Sequence, residues 1–304
     1  MNFNMFKEKN LPSGTTKLNG KIIKQYSDFG NNVDQTTVKS FGEEWTNFHG
    51  FSDEEIERMG NSYFDIVDYQ MLDENTKAID FGCGSGRWTK YIHKKVCAVA
   101  AVDPSDAIYS ASKVLEDIPN AFLYQASIDN LPFDDNYFDF GFSLGVLHHI
   151  PDTAKAMKDC VAKIKPGGYF LVYLYYNLDN RGWGFKLLFH ISNFLRKIVS
   201  KLQGRLKRFI CDFFAIIFYM PFILLSRFLK LLGVKKKIRS KIPLYIYEDA
   251  SFYIIRNDSL DRFGTPLEQR FSRKQVIQMM EASGLTDIIV SKNLPYWHAI
   301  GRKK

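Results

Sequence analysis

The chain has 304 residues, 46% hydrophobic and 24% charged, a composition that fits an ordinary folded protein and speaks against a disordered chain or a many-span membrane protein. That length supports one large core, or one core with a smaller appendage. The net charge of +8 is unevenly placed: Arg181 to Lys241 holds fifteen Lys or Arg against the single acid Asp212, a local +14, so the remainder carries about −6.

The opening MNFNMFKEKN has no apolar stretch of signal-peptide type, and Cys83, Cys97, Cys160 and Cys211 are scattered without a CxxC pair, so reduced thiols in the cytoplasm are expected. Residues 1–64 read as a flanking helical or irregular lid, with VKSFGEEWTNF (38–48) contributing aromatic packing. Residues 65–182 alternate strand-length apolar runs with helical stretches. The runs KAIDF (77–81), VCAVAAVD (96–103), AFLYQ (121–125), FDFGFSLG (138–145) and GYFLVYLYY (168–176) are mostly continuous, as in parallel strands covered on both faces. GRWTKYIHKK, SDAIYSASKVLED and TAKAMKDCVAKI supply the intervening helices, with Ser105 as an N-cap and KPGG (165–168) as a stop. This alternation predicts an open, doubly wound α/β sheet. Residues 183–242 break the rhythm as a basic, apolar helical insertion after the fifth strand. Residues 243–304 then complete the core, with a helix in SRKQVIQMMEASGL (272–285) and strands in TDIIVSK and PYWHAIGRK. No His, Cys or carboxylate cluster has metal-ligand spacing, so no metal is expected.

The stretch AIDFGCGSGRW (78–88) places Gly82, Gly84 and Gly86 at alternate positions, where a chain turns tightly or lets a ligand touch its backbone. A dinucleotide loop wants a small last residue in G-x-G-x-x-G, where this chain has Arg87, and Asp80 at the strand end repels a pyrophosphate. A cationic or amine-bearing ligand suits the loop better. Cys83 reads as a small residue filling the turn.

With LPFDDNYFDF, GVLHHIPD and IKPGGYFLV following in order, the chain resembles the class I S-adenosylmethionine-dependent methyltransferases of the type 11-like family, over about 60–176 and again over 261–304. The resemblance implies a Rossmann-like, mostly parallel seven-stranded sheet with a helical lid after the fifth strand, and S-adenosylmethionine as cofactor. It also implies that Gly82, Gly84 and Gly86 line the methionine part with Asp80 near its ammonium, and that Asp103 accepts the ribose hydroxyls. Ser127 stands where the family usually has an acid for the adenine amino group, so its hydroxyl or Asp129 takes that part, with the Ile128 amide beside the ring. Ser143 and Leu144 match positions that bracket the sulfonium, and Arg87 either pairs with the methionine carboxylate or stays exposed.

Methyl transfer is an in-line displacement that requires positioning and exclusion of water more than acid–base machinery. For a hydroxyl acceptor, His149 and His148 in GVLHHIPD are the candidate bases, against a purely local role in holding the loop. Tyr175, Tyr176, Asn177 and DRFGTPLEQRF (261–271) are candidates for the acceptor wall. GFKLLFHISNFLRKIVSKL (184–202) reads as an amphipathic helix, and the apolar FICDFFAIIFYMPFILL (209–225), interrupted by Asp212 and Pro221, is marginal as a bilayer span and reads as an interfacial or re-entrant element flanked by basic residues. The expected acceptor is therefore a small-molecule, lipid or lipid-linked compound at the cytoplasmic membrane surface. The alternative is a soluble sugar or metabolite, with the helices packed on the core or across a dimer. Nucleic acid is disfavoured, since no NPPY-like motif follows the fourth strand and the basic residues are interleaved with aliphatic runs. A non-enzymatic cofactor-binding or tethering module runs against an intact loop and acid. The acceptor atom and the oligomeric state stay open.

Overall fold

The computed structural model describes residues 5–47, 50–179, 182–202 and 204–304; the side chains of 44–47 and 185, like Phe48 of the proposed N-terminal lid, lie outside that description. The chain divides into two units, Met1–Asn180 with Leu267–Lys304, and Arg181–Pro266. The second unit thus reaches well past 242, where the sequence placed the end of the insertion.

The first unit is a sheet of nine strands: β1 (Gly14–Leu18), β2 (Lys21–Gln25), β3 (Lys77–Phe81), β4 (Ala98–Val102), β5 (Ala121–Gln125), β6 (Phe138–Leu144), β7 (Ile164–Tyr173), β8 (Leu285–Val290) and β9 (His298–Lys303). Their order is β1-β2-β5-β4-β3-β6-β7-β9-β8. Strands β2 to β7 run parallel where they pair, whereas β1 is antiparallel to β2, and β9 to both β7 and β8. Ala98 to Val102 are wholly buried, as continuous apolar runs require of a strand covered on both faces.

The nine strands correct the expected seven, and the two extra ones come from residues read as helical or irregular. The physical cause is Asn19-Gly20, whose φ values of 49° and 72° close a two-residue hairpin of the kind that Asn-Gly favours. The helix Thr153–Ala162 does end just ahead of the KPGG stretch, which itself forms the irregular start of β7, with Gly167 at φ 82°. Ser105 stands one residue outside the cap position: its hydroxyl accepts from the Ala107 N–H at 3.2 Å, and Asp106 directly precedes the helix Ala107–Val114. Ser272 does cap its helix, in a reciprocal pair with Gln275. The helix Gln35–Asn47 lies against the start of Ala107–Val114, where a Cβ on Gly42 would meet the Asp106 nitrogen at 3.3 Å.

The second unit is helical, with Trp183–Val199, a continuous helical run Gly204–Leu231 that loosens into a π-helical turn at Ala215–Tyr219, the short helix Lys236–Arg239, and Phe252–Gly264. Its interior is held by polar bonds as well as apolar contact. Arg256 grips Asp212 through two nitrogens at 2.6 and 2.8 Å, Tyr219 donates to Asp258 at 2.8 Å, and Arg196 donates to the Thr265 and Pro266 carbonyls.

Candidate functional site

The strand order reverses beside β3: β4 lies on one flank and β6 on the other, which opens a crevice at the carboxyl edge of the sheet. The glycine loop sits there. Gly82, Gly84 and Gly86 have φ of 81°, 53° and 81°, a region that costs a side-chain-bearing residue strain. The Gly82 and Cys83 N–H groups donate to the Val102 carbonyl at 2.8 and 2.9 Å, folding the loop over the end of β4. A Cβ on Gly82 would stand 2.5 Å from Val146, so the close approach of the following segment demands glycine there.

Two buried acids flank this loop. Asp80, the penultimate residue of β3, accepts from the Thr89 hydroxyl at 2.7 Å through one oxygen, while its other oxygen is buried with no hydrogen-bond partner among the described residues. Burial pushes its carboxyl up to about 7, with the Asp103 charge adding to the push and the Thr89 bond and Arg87 opposing it. Asp103, just past β4, accepts from the Gly84 N–H at 2.9 Å, the Ser105 N–H at 2.9 Å and the Ser105 hydroxyl at 2.6 Å. Burial raises its carboxyl too, against those same bonds. A carboxylate offers about four acceptor positions, so three protein donors leave Asp103 room for little beyond one more.

Farther along the edge, Ser127 accepts from the Asp129 N–H at 3.3 Å ahead of the single turn Ile128–Asn130. Asp129, the alternative partner for an adenine amino group, is committed elsewhere: it accepts from the Asn31 and Asn32 amides at 2.6 and 2.9 Å and from Lys155. Of the two readings, Ser127 is the one this geometry leaves open. Ser143, near the end of β6, donates to the Phe81 carbonyl at 2.9 Å and ties β6 to β3; Leu144 follows, buried. Arg87 lies over the rings of Trp88 and Phe51, 4.7 and 5.2 Å from their centroids, and near enough to Asp80 to favour its ionised form.

His148 and His149 end the turn after β6, both buried. Their hydrogen bonds assign opposite tautomers. The His149 Nδ1 lies 2.7 Å from the Leu267 carbonyl, which can only accept, so Nδ1 carries the proton and Nε2 is the basic nitrogen. The His148 Nδ1 accepts from the Tyr175 N–H at 3.4 Å, a long bond that leaves the proton on a buried Nε2 without a partner among the described residues. Burial, with His149 and Arg270 nearby, holds His148 well below the usual imidazole range, hence neutral. Tyr175 stacks on His148 at 3.8 Å. Residues 267–271 frame both rings: the Gln269 amide donates to the His148 carbonyl, its side chain to the Ile150 carbonyl, and the Phe271 amide to the Tyr175 carbonyl. Arg270 pairs with Glu268 at 2.8 Å and with the Tyr176 carbonyl, whereas Asp261 lies in the helical unit and accepts from Thr265. Asn177, exposed, donates from its amide to the Phe271 carbonyl.

Several neighbours escaped the sequence reading. Phe41 packs against His149 with centroids 4.8 Å apart, and Tyr63 joins Trp88 at 4.6 Å to Tyr173 at 5.1 Å. Helical or strand periodicity marks such rings only as core. His298 is fully buried, bonded to Asp65 at 2.6 Å and to the Pro295 carbonyl at 2.5 Å, a structural tie rather than a group open to a substrate. Among the described residues, no group of three or more His, Cys, Asp or Glu is placed to hold a metal.

The residues present fit S-adenosylmethionine. An amine-bearing ligand would satisfy the orphaned Asp80 oxygen, beside a glycine loop that Asp103 and Val102 hold in place. Comparison with known proteins agrees: residues 79–172 match the family described as the methyltransferase domain. The chain is 34% identical over 110 residues to demethylmenaquinone methyltransferase of Staphylococcus carnosus, covering 34% of this chain and 44% of that one. It is 29% identical over 119 residues to the ubiquinone biosynthesis O-methyltransferase of Coxiella burnetii, covering 38% and 49%. The chain thus matches less than half the length of these curated relatives. The solved structure of the YcgJ protein from Bacillus subtilis superposes with a TM-score of 0.45 at 15% identity, over 79% of this chain and 71% of that one.

Proposed function

We propose that this chain, whose residues 79–172 form a class I S-adenosylmethionine-dependent methyltransferase domain, transfers a methyl group to a small-molecule, lipid or lipid-linked acceptor at the cytoplasmic membrane surface. The observation that carries the reading is the buried, half-satisfied Asp80 beneath a left-handed glycine loop whose other side is braced by Asp103. The bound cofactor supplies an electrophilic methyl on a cationic sulfur. Around it, Asp80 would accept from the ammonium, Asp103 from the ribose and Ser127 would meet the adenine, while Ser143 and Leu144 would line the sulfonium end.

For a hydroxyl acceptor, the His149 Nε2 would take the acceptor's proton as its oxygen gains the methyl that the cofactor would supply. His148 stays neutral and acts as a donor and spacer. Tyr173, Tyr175 and Phe41 exclude water from the transfer path. The names of the quinone-biosynthesis relatives support an acceptor of small, partly apolar character. The exposed apolar helices of the second unit support a membrane location.

Methyl-labelled cofactor incubated with the purified protein and host lysate fractions tests this. Label is expected in the solvent-extractable lipid fraction. Label in polar metabolites would remove the lipid acceptor while keeping methyl transfer, and label in RNA or in nothing would overturn the reading.

A further inference from the structure

The helical unit turns an apolar surface to the outside and keeps charged groups within. Along the run Gly204–Leu231, Phe209, Phe213, Ile216, Leu224, Phe228 and Leu231 are each more than half exposed. The same helical run turns Lys207, Asp212, Tyr219, Ser226 and Arg227 inward, where partners wait at every level: the Gly264 carbonyl, Arg256, Asp258, Glu248 and the Ala250 carbonyl. The helix Trp183–Val199 repeats the arrangement, with Trp183, Leu187, Ile191 and Phe194 exposed and Arg196 buried on carbonyls. A contiguous apolar stripe of this size on a water-soluble surface marks an interaction site.

Two occupants compete for it. A second copy would bring one strongly basic unit against another. The charge favours an anionic lipid leaflet: Arg205 stands exposed near one end of the long helix, and Lys235, Lys236, Lys237 and Lys241 beyond the other. Each such cation near an anionic surface strengthens binding by about fivefold.

The run of 28 residues is also long enough to cross, at about 42 Å against a hydrocarbon core of about 30 Å. Its inner face argues against crossing. The polar pairs are spread along its whole length, so crossing would carry Arg256, Asp258 and Glu248 into hydrocarbon along with it. We infer that the helical unit is a monotopic anchor, with Gly204–Leu231 lying along the headgroup–acyl boundary of one anionic leaflet, its apolar stripe in the chains and its basic ends among the phosphates. This deepens the membrane part of the reading above and leaves the methyl-transfer chemistry untouched.

Flotation of the full chain with phosphatidylglycerol-containing vesicles tests it, with S-adenosylmethionine binding measured on every variant. The protein should float at low salt, bind neutral vesicles more weakly, and lose binding by at least about tenfold in the double variant Phe213→Glu/Phe228→Glu with cofactor affinity unchanged. Quenching by brominated lipids should place tryptophans introduced as Phe209→Trp, Ile216→Trp and Phe228→Trp at one shallow depth. A deep Ile216→Trp between shallow ends would overturn the in-plane anchor in favour of a span. Failure to float, together with a dimer that the double glutamate variant dissociates, would assign the stripe to a second copy.

Discussion

The two units handle their polar and apolar residues in opposite ways. In the sheet unit, Ala78, Ile79, Phe81 and Ala98 to Val102 are wholly buried, and the acids buried beside them, Asp80 and Asp103, gather at one edge. In the helical unit, charged and polar pairs run the length of the interior while Phe209, Leu231 and Trp183 stand outside. Burying a polar group costs unless it is bonded. Among the described residues the helical unit meets that condition almost throughout, whereas the sheet unit leaves an oxygen of Asp80, the Ser85 hydroxyl and the His148 Nε2 unmet along that edge. That difference separates an edge shaped for a small polar ligand from a surface shaped for an apolar environment.

The comparison breaks most sharply at Gly82. Valine there meets both a φ of 81° and Val146 at 2.5 Å, so Gly82→Val should abolish cofactor binding and lower the stability of the sheet unit by about 1–3 kcal/mol or more. Calorimetric titration and thermal melting measure the two effects; normal binding by this variant would refute the cradle. Next in size is His149→Ala, for which turnover should fall about 10²- to 10⁴-fold while cofactor affinity stays unchanged, because Nε2 of that ring is assigned only to the acceptor proton. Parallel loss of cofactor binding would make the ring structural. Asp103→Ala should weaken cofactor binding by about 1–3 kcal/mol, and its thermal stability should drop as well, since the Gly84 and Ser105 donors lose their acceptor.

A pH titration sharpens the contrast further. Asp80 holds its proton more tightly in the folded chain, up to about 7, than in the unfolded one, near 3.9. The folded state therefore binds more protons between those values, and the stability of the cofactor-free protein should fall as pH rises through that window, by at most about 1.4 kcal/mol per pH unit. Asp103 contributes with the same sign. Asp80→Asn should flatten the slope of melting temperature against pH; an unchanged slope would contradict the burial of an ionisable Asp80. The smallest effect belongs to the helical unit, where Asp212→Asn breaks a pair with Arg256 that is partly exposed and so should cost at most about 1 kcal/mol in denaturant unfolding. A much larger loss would show that pair to be the unit's main support.

Much of this was legible in the chain because the signals are local. Continuous apolar runs located β3, β5 and β6 within a residue or so, and the order of the glycine loop, Asp103 and the paired histidines placed all of them along one sheet edge before any coordinates. The N-terminal hairpin was missed although Asn19-Gly20 announces it, because its strands are short and their alternation is weak beside the aromatic helix that follows. The commitment of Asp129 to Asn31 and Asn32 and the His149 tautomer depend on groups 97 to 118 residues away in sequence, and the His148 tautomer on Tyr175, 27 residues away. No spacing rule encodes such partners. The extent of the helical unit was underestimated for a related reason: Phe252–Gly264 joins the insertion through distant partners, among them Arg256 on Asp212, Tyr219 on Asp258 and Ser259 on the Cys211 carbonyl.

Isothermal titration of the full chain with S-adenosylmethionine and, separately, with NAD tests the central claim most directly. One site per chain is expected for S-adenosylmethionine, with proton release on binding near pH 6 to 7 as the ammonium holds Asp80 ionised, and with no measurable heat from NAD. Equal or tighter binding of NAD, or no binding of S-adenosylmethionine by a folded protein, would contradict the assignment of the glycine loop.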